Sequence, residues 1–205
     1  MKEYKEILQK YLPQESVDMV FDAIKKYKIY LRISKNRNTK LGDFRPAYKQ
    51  LPHRISINHN LNPYAFLITF IHEIAHLVVF ENYKLKTRPH GKEWKYCFQE
   101  LMIPYLYQNI FPKELKEVLQ LYLKNPSASS GANISLARIL KKYDANTDLE
   151  ILIESLSENT IFRIYNGKTF ERLERRKKRI KCKCLDNGKL YLFDPLVKVH
   201  PLQND

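Results

Sequence analysis

Cysteine is scarce in this chain of 205 residues. Cys97, Cys182 and Cys184 form an odd, sparse set, which argues against a disulfide framework and for a reducing compartment. The opening residues, MKEYKEILQKYLPQES, carry charges throughout and hold no apolar core of a leader, so no secretory signal is expected. The apolar run at 64–80 is too short for a membrane span and contains a glutamate and two histidines, so no transmembrane segment is expected either. These absences predict a cytoplasmic protein with no membrane partner. Acidic residues are outnumbered, 22 Asp+Glu against 36 Lys+Arg, for a formal net charge of +14. A surplus this large favours a polyanion as partner, nucleic acid first. Between Ala23 and Gly42 acid is missing altogether, while Lys25, Lys26, Lys28, Arg32, Lys35, Arg37 and Lys40 line that stretch.

The most informative stretch is 62–81, NPYAFLITFIHEIAHLVVFE. Asn62 followed by Pro63 reads as an N-cap with proline at the first helical position, and no breaker follows. From Tyr64 to Phe80 the clearly polar residues are Thr69, His72, Glu73 and His76, so the spacing predicts a helix buried all round. An ionisable glutamate between two histidines is costly there unless it is paired or bound to a metal. Histidines at i and i+4 lie about 40° apart around a helix and can converge on one ion, with the glutamate flanking the same face. This is the H-E-x-x-H zinc pattern, in which the histidines ligate and the glutamate takes the proton of the attacking water.

A catalytic zinc needs a third protein ligand and an open position. The longer H-E-x-x-H-x-x-G-x-x-H spacing fails, because Val79 and Asn82 stand where its glycine and third histidine belong. His90, in the turn before the next helix and flanked by Pro89 and Gly91, is the leading candidate; Glu93, one turn later, competes with it. Trp94, the single tryptophan, is expected to pack under the ligand loop.

Elsewhere in the first half, 3–12 and 14–27 read as helices, with Val17, Val20, Phe21 and Ile24 as core. Period-two alternation at Ile29, Leu31 and Ile33 predicts a strand, and 41–48 and 54–58 read as two more. Residues 92–103 and 112–123 read as helices broken by Pro104 and Pro112. The His72, Glu73, His76 set, His90-Gly91-x-x-Trp94, Leu41-Gly42 and the Arg54–Ile57 strand together resemble the SprT-like zinc metalloprotease family, which includes bacterial SprT-like proteins and Spartan-type proteases of DNA–protein crosslinks. The likeness covers about 15–123. It implies a zincin-like fold, one catalytic Zn2+ held by His72, His76 and His90, and Glu73 as general base and acid.

Residues 124–132, KNPSASSGA, read as a linker. A short helix over 133–143, with Ile134, Ala137, Leu140 and Tyr143 inward, and an antiparallel meander from Thr160 are expected beyond it, with Asn166-Gly167 marking a hairpin. Arg172, Arg175, Arg176, Lys177, Lys178, Arg179 and Lys181 make the meander basic and are its candidate DNA contacts. Alternation places Arg179, Lys181 and Lys183 on one side and Ile180, Cys182 and Cys184 on the other. Members of the family often end in a zinc ribbon of two C-x-x-C pairs; Cys182-x-Cys184 departs from that, so a ribbon-like unit without metal is expected.

The expected architecture is therefore α+β: a zincin-like helical metalloprotease domain with a small antiparallel sheet over 1–123, a linker over 124–132, and a short helix with a ribbon-like β meander over 133–205. The expected function is zinc-dependent hydrolysis of peptide bonds in proteins on or crosslinked to DNA. The alternative is a DNA-binding module whose zinc site is structural or weakly active.

Overall fold

The computed structural model describes residues 2–37, 39–84, 87–127, 133–144 and 150–202. The chain divides into two compact units, Met1–Asp144 and Ala145–Asp205, each with its own apolar core.

In the first unit, α1 (Lys2–Gln9) and a 3-10 turn (Gln14–Ser16) lead into α2 (Val17–Lys26). Val17, Val20, Phe21 and Ile24 of α2 are buried, as their helical spacing dictates. Strand β1 (Ile29–Ser34) alternates buried Ile29 and Leu31 with exposed Tyr30 and Arg32. Strands β2 (Gly42–Arg45) and β3 (His53–Asn58) complete a sheet of order β1-β3-β2. This sheet is mixed, which corrects the antiparallel expectation: β2 and β3 run antiparallel, but β1 pairs parallel with β3. The last strand in sequence inserts between the two earlier ones, and its direction then matches β1. Strand β2 is also shorter than the expected 41–48, since Tyr48 and Leu51 close a separate tight turn.

Helix α3 (Pro63–Tyr83) packs on this sheet. The Asn62 side chain accepts a bond from the Ala65 amide and caps the helix, with proline at its first position. By length and composition α3 could cross a membrane, but 67% of its most apolar window is buried inside the fold. Helix α4 (Lys92–Tyr107) packs against α3 and runs through Pro104, contrary to the expected break. Proline there removes only its own bond to the exposed Glu100, so the freed carbonyl remains near water and the last turn survives. Helices α5 (Lys113–Leu123) and α6 (Ile134–Lys141) pack together, and Leu136, Ile139 and Leu140 join the first core. The division between units thus falls after α6, later than the expected 124–132; residues 128–132 of that stretch lie outside the described residues.

The second unit is a six-stranded antiparallel sheet of order β4-β9-β5-β6-β7-β8, with β4 Ile151–Leu152, β5 Ile161–Arg163, β6 Thr169–Arg176, β7 Arg179–Cys184, β8 Leu190–Phe193 and β9 Lys198–Pro201. Ile180, Cys182 and Cys184 alternate inward along β7 and pack with Phe162, Phe170 and Val199. Both cysteines are free thiols.

Candidate metal centre

Helix α3 carries His72 and His76 one turn apart, and the segment before α4 returns His90 to them. The three Nε2 atoms face one another: His72 to His76 is 3.1 Å, His76 to His90 3.0 Å and His90 to His72 3.2 Å. Nitrogens bound at 2.0–2.1 Å to one tetrahedral zinc would lie about 3.3 Å apart, so the triangle has the size such an ion requires. Three converging imidazole nitrogens cannot satisfy one another with protons alone, since each Nε2 either donates or accepts. A shared cation resolves that conflict. Among the described residues these three histidines are the one group disposed to hold a metal, and Glu93 is outside it.

Burial pushes the His72 imidazole down to about 3 and His76 to about 4, helped by their neighbouring rings, and burial also lowers His90. All three are thus neutral at pH 7 with lone pairs available. His90 reaches its place through a left-handed backbone, φ 57°. The turn therefore belongs to His90 itself rather than to Gly91, whose φ is −69°. Glycine at 91 answers a different need, because an added Cβ would sit 3.0 Å from the Arg88 carbonyl oxygen. Trp94 is buried beneath all three rings, with centroids 4.6 Å from His72, 5.5 Å from His76 and 4.7 Å from His90. Its indole N–H points to the His72 carbonyl at 3.4 Å, and Phe98 stacks on it at 5.0 Å while also meeting the His72 ring edge-on at 5.9 Å.

Glu73 is buried between α3 and β2. Burial raises its carboxyl to about 8, the Asp43 carboxylate adds to the rise, and the Phe44 amide with Arg37 and Lys40 opposes it. Gly42 faces this side chain. A Cβ there would collide with Glu73 Oε1 and lie 2.7 Å from Thr69 Cγ2, so only glycine lets β2 come this close to α3. The Phe44 ring, 6.0 Å from Phe80, holds the same strand on the helix further along. Together β2, α3 and the 87–90 segment enclose a cleft of about 830 Å³ onto which His72, Glu73, His76 and His90 open. Nothing in the sequence marks Gly42 as a space requirement or Tyr122 as a cleft residue; Tyr122 is largely buried, lines the cleft, and its hydroxyl donates to the Ser127 carbonyl at 3.0 Å.

The seven basic candidates of the meander lie in the second unit. Arg172 is buried and pairs with Glu158 at 3.4 Å, which removes it from the surface. Arg175 lies 3.9 Å from Glu154, Arg176 and Lys181 share Glu174 at 3.2 and 3.1 Å, and Arg179 meets Asp194 at 3.0 Å. Glu174 is held down to about 2, first by its own backbone amide and then by Lys181 and Arg176. Lys177 and Lys178 occupy the exposed turn between β6 and β7.

A family model described as the SprT-like family matches residues 9–113, a span that contains Gly42, Glu73, Trp94 and all three histidines. Comparison with curated proteins and with solved structures gave no match.

Proposed function

The chain belongs to the SprT-like family, and from that premise we propose that it is a zincin-like zinc metallopeptidase that cleaves proteins bound or crosslinked to DNA in the cytoplasm. The observation that carries this reading is the triangle of three neutral imidazoles beside a buried carboxyl, open on one side to a cleft large enough for a peptide. When bound by His72, His76 and His90, zinc supplies Lewis acidity toward a carbonyl oxygen and toward water.

The remaining chemistry falls to the protein. A divalent cation beside Glu73 favours its ionised form over the neutral one that burial alone enforces. The carboxylate then accepts a proton from the attacking water and returns it to the leaving amine. The backbone at Gly42 lies directly against the carboxylate, with the Thr69 methyl at the same point of β2. Trp94 and Phe98 keep the imidazoles from turning away and exclude water from behind them.

The nucleic-acid part of the proposal is supported by the net charge of +14 and by the family resemblance. A second reading, a DNA-binding module with a structural or weakly active zinc site, is favoured by the basic meander alone. It is weakened by the ion pairs that already engage Arg172, Arg176, Arg179 and Lys181. One assay separates the two: degradation of a DNA-bound protein by the purified chain, with and without DNA and with and without chelator. Cleavage that DNA stimulates and chelator stops supports the peptidase. DNA binding without any cleavage supports the module.

A further inference from the structure

One face of the first sheet lies under α3; the other is built from polar and charged side chains. Pairing fixes its layout. Tyr30, Arg54 and Arg45 form one row across β1, β3 and β2, and Arg32, Ser56 and Asp43 form the next. Arg37, from the segment after β1, folds back over this face: its Nε donates to Asn58 Oδ1 at 2.8 Å and its Nη1 to Ser56 Oγ at 3.0 Å. Arg32, Arg37, Arg45 and Arg54 with Ser34 and Ser56 enclose a concavity of about 210 Å³. Asp43 is the single acid lining it, and Lys40 at 2.7 Å and Arg45 at 3.0 Å already engage that carboxylate. Among the described residues the side chains of Arg32 and Arg54 have neither an ion pair nor a hydrogen bond, so two guanidinium groups at the concavity are uncompensated.

We propose that this open sheet face binds the backbone of single-stranded nucleic acid, with Arg32 and Arg54 on phosphates and Tyr30 under a base. The cations here are arginines, whose planar forks match phosphate oxygens in pairs. The Ser56 hydroxyl, which accepts from Arg37, lines the same concavity as a further donor, while Ser34 spends its proton on the Ile57 carbonyl. Tyr30 is 58% exposed in the same row as Arg54, which puts an aromatic side chain beside the cationic concavity. That combination suits an unpaired strand, whose bases are free to stack. The face is turned away from α3 and independent of the peptidase reading, so either can fail without the other.

The test is fluorescence anisotropy of a labelled oligothymidylate with the full-length chain over a salt series. Arg32→Gln with Arg54→Gln removes two phosphate contacts and no internal bond, and a thermal melt checks that the fold is kept. Binding should weaken about twenty-fold at 0.1 M salt, and the slope of log affinity against log salt should shrink by about 1.4. Tyr30→Ala should weaken binding about five-fold or more with the slope unchanged. Arg175→Gln with Arg176→Gln and Arg179→Gln reads the meander in the same assay. Unchanged affinity and slope in the Arg32/Arg54 variant overturn the proposal, whatever the meander variant does. So does binding of the wild type to phosphatidylserine vesicles with none to the oligonucleotide.

Discussion

Glu73 has its place because residue 42 has no side chain. A methyl group at Gly42 would occupy space held by the Glu73 carboxyl and the Thr69 methyl, so either β2 must move off α3 or the carboxyl must shift toward the cleft and away from its present place. Gly42→Ala should therefore cost about 1–3 kcal/mol in a denaturant melt. The same change should reduce peptide cleavage while leaving zinc bound, since the histidines are not displaced; loss of zinc would show that β2 supports the ligands as well. Glu73 also predicts a pH dependence in the chelated, metal-free chain. Its carboxyl is raised from an ordinary 4.5 to about 8, so between those values the folded chain holds a proton that the unfolded chain has released. Stability from this group is full below about pH 4.5 and is lost as pH rises through about 8. Thermal melts should show wild type falling relative to Glu73→Gln by on the order of a few kcal/mol between pH 5 and pH 9. The lowered histidines have the opposite sign and lose stability as pH falls below 6.5; they are common to both proteins and cancel in the comparison.

Among the elements, α3 was the most legible, because Asn62-Pro63 marks its start and its composition demands burial. The structure adds that Asn62 is more than a cap: its amide also donates to the Leu140 carbonyl at 2.9 Å and to Asp144 Oδ1 at 2.8 Å, which ties α3 to the end of α6. Asn62→Ala should accordingly cost about 2–3 kcal/mol, above the range for a cap alone, as read from the denaturation midpoint. Other elements were less legible for physical reasons. Strand order cannot be read from alternation, and so the parallel pairing of β1 with β3 was hidden. The tight turn at Lys177-Lys178 carries neither glycine nor asparagine; Lys177 takes φ 48° unaided, and the two strands on either side read as one basic run. In α6 the expected inward residue Ile134 is 40% exposed, while Leu136 and Ile139 are buried. Eight residues hold too few turns to fix the phase of a helix from sequence.

For the whole molecule, the candidate centre was readable further than the fold around it. His72, Glu73 and His76 declare themselves by spacing, and the structure brings His90 rather than Glu93 to them. What spacing could not supply is the support: the indole beneath the rings, the left-handed His90 and the empty volume at Gly42 are all contacts between distant segments. Charge was a weaker guide, since it identified basic stretches without saying which of them are spent on ion pairs in the second unit and which remain uncompensated in the first. The central claim is that Glu73 performs proton transfer at a zinc held by three histidines. It is tested most directly by measuring zinc content and cleavage of one protein substrate side by side in wild type and Glu73→Gln. One zinc per chain in both proteins, with cleavage in wild type and none in the variant, is the predicted result. Cleavage by Glu73→Gln at the wild-type rate, or a wild-type chain that binds no zinc, would contradict it.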